Sequence, residues 1–142
     1  MILAVLAARV VGRPVKLLLT RPQMFTSVGH RPENVQRLRV GASREGRLVA
    51  IDHEGISTLG VEDFNVEPIT MSTGVAYACP NVATHDRQVR LNIPSPGAMR
   101  GPGTTEGNFA LESALDELSY RLRIDPISGL RAAQPNRSAP TR

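Results

Sequence analysis

Two arginines stand in loops suited to hold a charge still. Arg31 lies in Gly29-His30-Arg31-Pro32, and Arg100 lies in the run Pro94-Ser95-Pro96-Gly97-Ala98-Met99-Arg100-Gly101-Pro102-Gly103. A cation pinned in a loop can meet an anion, or the negative charge that develops on a reacting group. By pattern alone each is equally a solvated loop arginine. Gly101 and Gly103 leave the main chain bare, so a ligand can approach the backbone without meeting a side chain. Other combinations carry less. His53 stands between Asp52 and Glu54, which is a metal-ligand composition, but neighbours on a strand point to opposite faces and do not converge. His85-Asp86 resembles half of a catalytic pair, with no nucleophile at a recognisable spacing.

The elements that must position these residues are legible to different degrees. After the Arg100 loop, Leu111, Ala114, Leu115, Leu118 and Leu122 recur at three- and four-residue steps, with Glu112, Asp116, Glu117 and Arg121 on the other side, which predicts an amphipathic helix. Thr104 or Thr105 is expected to cap it, Glu106 suits its positive end, and its free first-turn amides suit an anion. Met1 to Val11 reads as an apolar helix, buried and stopped by Gly12 and Pro14. Pro14 to Thr20 reads as a strand buried on both faces, and Arg21 to Glu33 as irregular, broken by two prolines. From Gln36 to Glu54 the period falls to two around Ser43-Arg44-Glu45-Gly46, which predicts a hairpin. Gly55 to Ser72 reads as a long connection. Val75 to Cys79 and Thr84 to Asn92 read as two further strands turned by Pro80-Asn81.

The totals bound the function. The 142 residues, 41% of them hydrophobic, suffice for one α+β domain, and a single cysteine, Cys79, forbids an internal disulfide. A reducing compartment, and hence the cytoplasm rather than the periplasm, is the expected location. The net charge is +4. Residues 121–142 hold five arginines and one aspartate, so the rest of the chain sums to zero. A neutral body with few aromatics argues against nucleic-acid binding. The N-terminal apolar run is too short to cross a bilayer, which takes about 20 residues, and its arginine follows the run rather than preceding it, unlike an export signal. Residues 127–142, where Gly129, Pro135 and Pro140 stand among small polar residues and arginines, are expected to be a flexible basic tail after a domain spanning 1–126.

Five ordered blocks go further. They are Ala-Ala-Arg-Val-Val-Gly-Arg-Pro-Val-Lys-Leu at 7–17, Arg-Pro-Gln-Met-Phe at 21–25, Val-Gly-His-Arg-Pro at 28–32, Tyr-Ala-Cys-Pro-Asn-Val at 77–82, and Met-Arg-Gly-Pro-Gly through Ala-Leu-Glu-Ser-Ala-Leu-Asp-Glu-Leu at 99–118. In these the chain resembles the molybdenum-cofactor-binding large subunit of the xanthine dehydrogenase and aldehyde oxidase family, nearest its bacterial aldehyde-oxidising branch.

The resemblance implies a partial molybdopterin-binding domain, α+β, with a mixed or antiparallel sheet, an N-terminal apolar helix and a C-terminal amphipathic helix. It implies a molybdenum-molybdopterin cofactor, in the cytosine dinucleotide form, and oxidation of aldehydes or N-heterocycles with water as oxygen source. Electrons would pass to iron–sulfur and FAD partner subunits. Arg31 would steady negative charge developing on the substrate, while Met99, Arg100 and Gly101 would lie against the cofactor. No residue of this chain is expected to ligate the metal.

Two family elements lie outside this stretch: a Gly-Gly-Phe-Gly motif before the equivalent of residue 1, and the general-base glutamate beyond the equivalent of residue 142. After Pro126 the chain also departs from the family's leucine- and arginine-rich helix, as a truncated gene or a shifted reading frame would make it do. The isolated chain is therefore expected to be inactive. The alternative is a non-catalytic interaction module that needs a partner chain.

Overall fold

The computed structural model describes residues 2–64 and 66–127. In chain order it contains α1 (Ile2–Val11), α2 (Arg21–Ser27), β1 (Asn34–Ala42), β2 (Leu48–Gly60), α3 (Thr73–Ala76), β3 (Asn81–Leu91) and α4 (Thr104–Leu122). The three strands form one mixed sheet in the order β1-β2-β3. β1 and β2 are antiparallel, as the period-two pattern predicts, and β2 and β3 are parallel. A hairpin can close on four residues, whereas a parallel pair needs a crossover, and here residues 61–80 supply it.

Alternation decides which face is covered. On β2, Ile51, His53, Gly55, Ser57 and Leu59 are buried, while Asp52, Glu54, Ile56 and Thr58 between them are more open. α4 lies on the buried face. Its Leu111 and Leu115 join Leu48 and Ile51 in the core, with Leu38, Val40 and Leu118 packed around them. Full burial of each such leucine contributes about 1.5–3 kcal/mol. The hairpin turns at Ser43–Arg47, where Gly46 takes φ of +83°, a value that favours glycine. α4 ends in a Schellman-type cap: Arg123 is left-handed and the Ile124 amide donates to the Ser119 carbonyl at 3.1 Å.

Several local expectations change. Pro14 to Thr20 is extended but pairs with no strand, and Leu17, Leu18 and Leu19 are exposed, because no second sheet layer covers them among the described residues. α1 forms as predicted yet buries no residue. Residues 21–27 are helical, since Pro22 sits in the first turn, where its missing amide costs nothing, and the Thr20 amide donates to Gln23 Oε1 at 2.9 Å. β2 runs on to Gly60, and β3 starts at Asn81 rather than Thr84. Val75–Cys79 is not a strand: its first two residues end α3, whose Thr73 is hydrogen-bonded from within the core. The tail expected at 127–142 lies, from residue 128 on, outside the described residues. No described helix is long and apolar enough to cross a membrane.

Candidate functional site

The two arginine loops meet. The amide of Gly97 donates to the carbonyl of His30 at 3.0 Å. Gly29 and Gly97 approach so closely that a Cβ on Gly29 would lie 2.7 Å from the Gly97 Cα. Two chain segments far apart in sequence cross there on bare backbone, which only glycine permits.

The Arg31 guanidinium then fastens the junction. Its Nη1 pairs with Glu106 Oε1 at 2.8 Å and donates to the Gly101 carbonyl at 3.4 Å, while Nη2 donates to the Arg100 carbonyl. A planar fork of donors suits this geometry, and lysine would not reproduce it. The side chains are 29% and 13% exposed, so the pair is partly shielded from water. Arg31 therefore holds the Arg100 loop from beneath. The guanidinium of Arg100, by contrast, has no hydrogen-bond or ion-pair partner among the described residues, and neither do the amides of Met99, Arg100 and Gly101.

The start of α4 differs from the sequence reading. Its N-cap is Gly103, with φ of +68°, and no side chain caps it; Thr104 and Thr105 are already helical. The Gly103 amide donates to Glu67 Oε2 at 3.2 Å. Thr104 and Thr105 amides donate to the Pro102 and Gly101 carbonyls at 2.7 and 3.2 Å. The acceptor at this helix end is thus the protein's own side chain, Glu67, which is 4% exposed. Nor is Gly103 bare for a ligand. A Cβ there would stand 2.6 Å from the Pro68 carbonyl oxygen, so its glycine serves internal packing. On the loop before it, the amides at 99–101 have no partner among the described residues.

A second network sets α4 against the sheet. Gln36 Nε2 donates to Asn34 Oδ1 at 2.8 Å and to the Glu106 carbonyl at 3.1 Å, so Gln36 Oε1 is left to accept from His53 Nε2 at 2.9 Å. That fixes the tautomer: His53 Nδ1 accepts from the Thr73 hydroxyl at 2.7 Å. His53 is fully buried, and burial holds its pKa below the ordinary value against the pull of Asp86 and Asp52. It is a neutral structural histidine. Asp52 and Glu54 point to the other face, and Asp52 pairs there with Arg39 at 3.1 Å. Asp86 is not half of a catalytic pair either. Its oxygens accept from the Thr70 amide and hydroxyl at 3.3 and 2.8 Å, tying the crossover to β3.

The comparisons with known proteins agree on a family. A family model described as the molybdopterin cofactor-binding domain matches residues 1–132. The chain belongs to that family. It is 40% identical over 143 aligned residues to the aldehyde oxidoreductase molybdenum-binding subunit PaoC of Escherichia coli (strain K12), covering 99% of this chain and 19% of that protein. It is 33% identical to the putative xanthine dehydrogenase molybdenum-binding subunit XdhA of the same strain, over 87% of this chain and 17% of that one. The solved aldehyde oxidoreductase of Desulfovibrio gigas superposes on 97% of this chain with a TM-score of 0.77 at 25% identity, and the match covers 16% of that chain. The molybdopterin-binding domain described here thus spans about one fifth or less of the length of these relatives.

The local features fit such a cofactor. A group rich in hydrogen-bond acceptors and negative charge would suit this loop, where three amides and one guanidinium have no partner among the described residues. Sequence reasoning missed Glu67 and Gln36, and weighed His53 only as a metal ligand. Glu106 was read only as a complement to the helix dipole. None has a local signal, because each acts on a partner at least 17 residues away.

Proposed function

We propose that this domain is the cofactor-loop segment of a molybdenum hydroxylase of the aldehyde-oxidising branch. The observation that carries the reading is the convergence of the two arginine loops, with Arg31 bonded to the carbonyls of Arg100 and Gly101 and to Glu106. When bound, the cofactor, here in its cytosine dinucleotide form, supplies two-electron oxidation of an aldehyde or N-heterocycle with water as oxygen source. Iron–sulfur and FAD subunits would take the electrons.

This chain's own residues bind and orient. The amides of Met99, Arg100 and Gly101 would donate to the cofactor, and Arg100 would balance its charge. Arg31, which the family resemblance assigns to negative charge on the substrate, already meets Glu106 and the carbonyls of Arg100 and Gly101, so most of its effect is to keep the loop in place. Glu106 is given a structural role here, because its Oε1 is held by Arg31. The isolated chain accordingly does not turn over.

Segment exchange tests the reading. Residues 1–126, placed in the E. coli aldehyde oxidoreductase subunit instead of its aligned stretch, are expected to retain molybdenum and aldehyde-dependent dye reduction. A folded exchanged subunit free of molybdenum would overturn it. The isolated chain should contain no stoichiometric molybdenum and oxidise no aldehyde, and one molybdenum per chain with dye reduction would contradict that part.

A further inference from the structure

The Gly103 amide takes its acceptor from 36 residues away, and the reason lies in the backbone around it. Gly101 and Gly103 both take positive φ, +69° and +68°, so the chain turns sharply twice on its way into α4. A Cβ on Gly103 would meet the Pro68 carbonyl oxygen at 2.6 Å. The serine, threonine, aspartate or asparagine that ordinarily caps a helix is therefore excluded at this position. The local alternative is the residue three positions on, whose side chain accepts from the N-cap amide in a capping box. That residue is Glu106, and its Oε1 is held by Arg31 at 2.8 Å.

Glu67 takes that place. It lies on the crossover between β2 and β3, beside the Pro68 that crowds Gly103, and its Oε2 accepts from the Gly103 amide at 3.2 Å. The residue is buried, and its Oε1 has no hydrogen-bond partner among the described residues. Burying a carboxyl group is costly, and the bond to Gly103 is the one it makes among those residues. An apolar side chain would pack there at less cost, but it would leave the amide without its acceptor. The amide would then compete with Arg31 for Glu106.

We propose that Glu67 is a positioning residue for the cofactor loop: by occupying the Gly103 amide it keeps Glu106 on Arg31, and so holds the Arg100 and Gly101 carbonyls on the Arg31 guanidinium. This rests on the cofactor-loop reading above. Elsewhere the loop is fastened without the crossover. Its entry is tied where the Gly97 amide donates to the His30 carbonyl, and its middle where the Thr105 hydroxyl joins Arg31 in donating to the Gly101 carbonyl, at 3.0 Å. The junction with α4 is the point that depends on Glu67.

The test follows the full chain by NMR. Glu67→Leu removes the acceptor and should draw Glu106 to the Gly103 amide. The Arg31 guanidinium protons and the Thr105 amide, which is bonded to the Gly101 carbonyl, should then exchange about tenfold or more faster, with the Met99–Gly101 amide signals displaced. Glu67→Gln keeps an acceptor and should stay within about threefold of the parent. Glu67→Asp keeps the carboxyl but falls one methylene short, so it should behave as the leucine variant does, and it replaces that variant if leucine prevents folding. Ile51→Val, in the core with Leu111 and Leu115, should lower the unfolding midpoint and leave the loop signals in place. In the exchanged subunit, Glu67→Leu should lose most of the molybdenum and Glu67→Gln should retain it. The proposal is overturned if the Arg31 and Thr105 signals are unchanged in the leucine and aspartate variants, if the glutamine variant matches them, or if a folded exchanged subunit carrying Glu67→Leu keeps its molybdenum. A parent exchanged subunit free of molybdenum would count against the cofactor-loop reading instead, and the NMR of the chain alone would still decide whether Glu67 governs the clamp.

Discussion

Gly107→Ala is expected to destabilise the domain by about 3 kcal/mol or more, the upper part of the range for overpacking. Gly107 lies in the first turns of α4 and is buried. A Cβ there would stand 1.9 Å from the Ile69 carbonyl oxygen and 3.0 Å from its carbon, both backbone atoms that cannot rotate away. Ile69 is itself held from both sides: Thr70 is fastened to Asp86, and Glu67 accepts from the Gly103 amide. Relief therefore requires α4 to lift from the crossover, which also breaks the Glu67 contact and moves the loop at 99–101. Alanine's better helix propensity, worth about 1 kcal/mol, is far too small to compensate. Urea unfolding followed by circular dichroism gives the measurement. A midpoint unchanged within error would mean that α4 does not pack on Ile69 as described.

The second large effect belongs to His53. His53→Leu keeps the volume but leaves Gln36 Oε1 and the Thr73 hydroxyl buried without their partner, at a cost of about 2–4 kcal/mol. Because Gln36 also holds the Glu106 carbonyl, the loss should loosen the start of α4. The wild-type histidine also gives stability a pH dependence. Its folded-state pKa is lowered, chiefly by burial, so the unfolded chain binds the proton more readily. The contribution is complete above the unfolded value of about 6.5 and is lost as pH falls through the folded value. Stability should thus decline on acidification below neutrality, and His53→Leu should flatten that slope. A slope that persists unchanged in the variant would assign it to other groups.

What the sequence displayed was whatever depends on neighbours. The stripe from Leu111 to Leu122 faces the core as its spacing requires, and the alternation from Gln36 to Glu54 makes the hairpin. The family was also legible, because its residues recur here in ordered blocks. What stayed hidden depends on partners remote in the chain. Nothing near Glu67 indicates that its carboxylate meets the Gly103 amide 36 residues on. Gly103 itself looked open for a ligand, when the Pro68 carbonyl occupies that space. Threonines before a helix invited a capping assignment that Gly103 takes instead. The run Val-Lys-Leu-Leu-Leu was read as a buried strand from composition, and composition states a need for burial rather than what provides it.

The most direct test concerns the clamp on which the site depends. In a double-mutant cycle of Arg31→Met and Glu106→Gln, the quantity to follow is exchange of the Gly97 and Thr105 amides, which are bonded to the His30 and Gly101 carbonyls. If Arg31 holds the loop through Glu106, each single variant speeds exchange there, and the double variant speeds it little further, by far less than the product of the two. Exchange that is unaffected by either substitution, or two effects that simply multiply, would show that the arginine loops are not joined in this way.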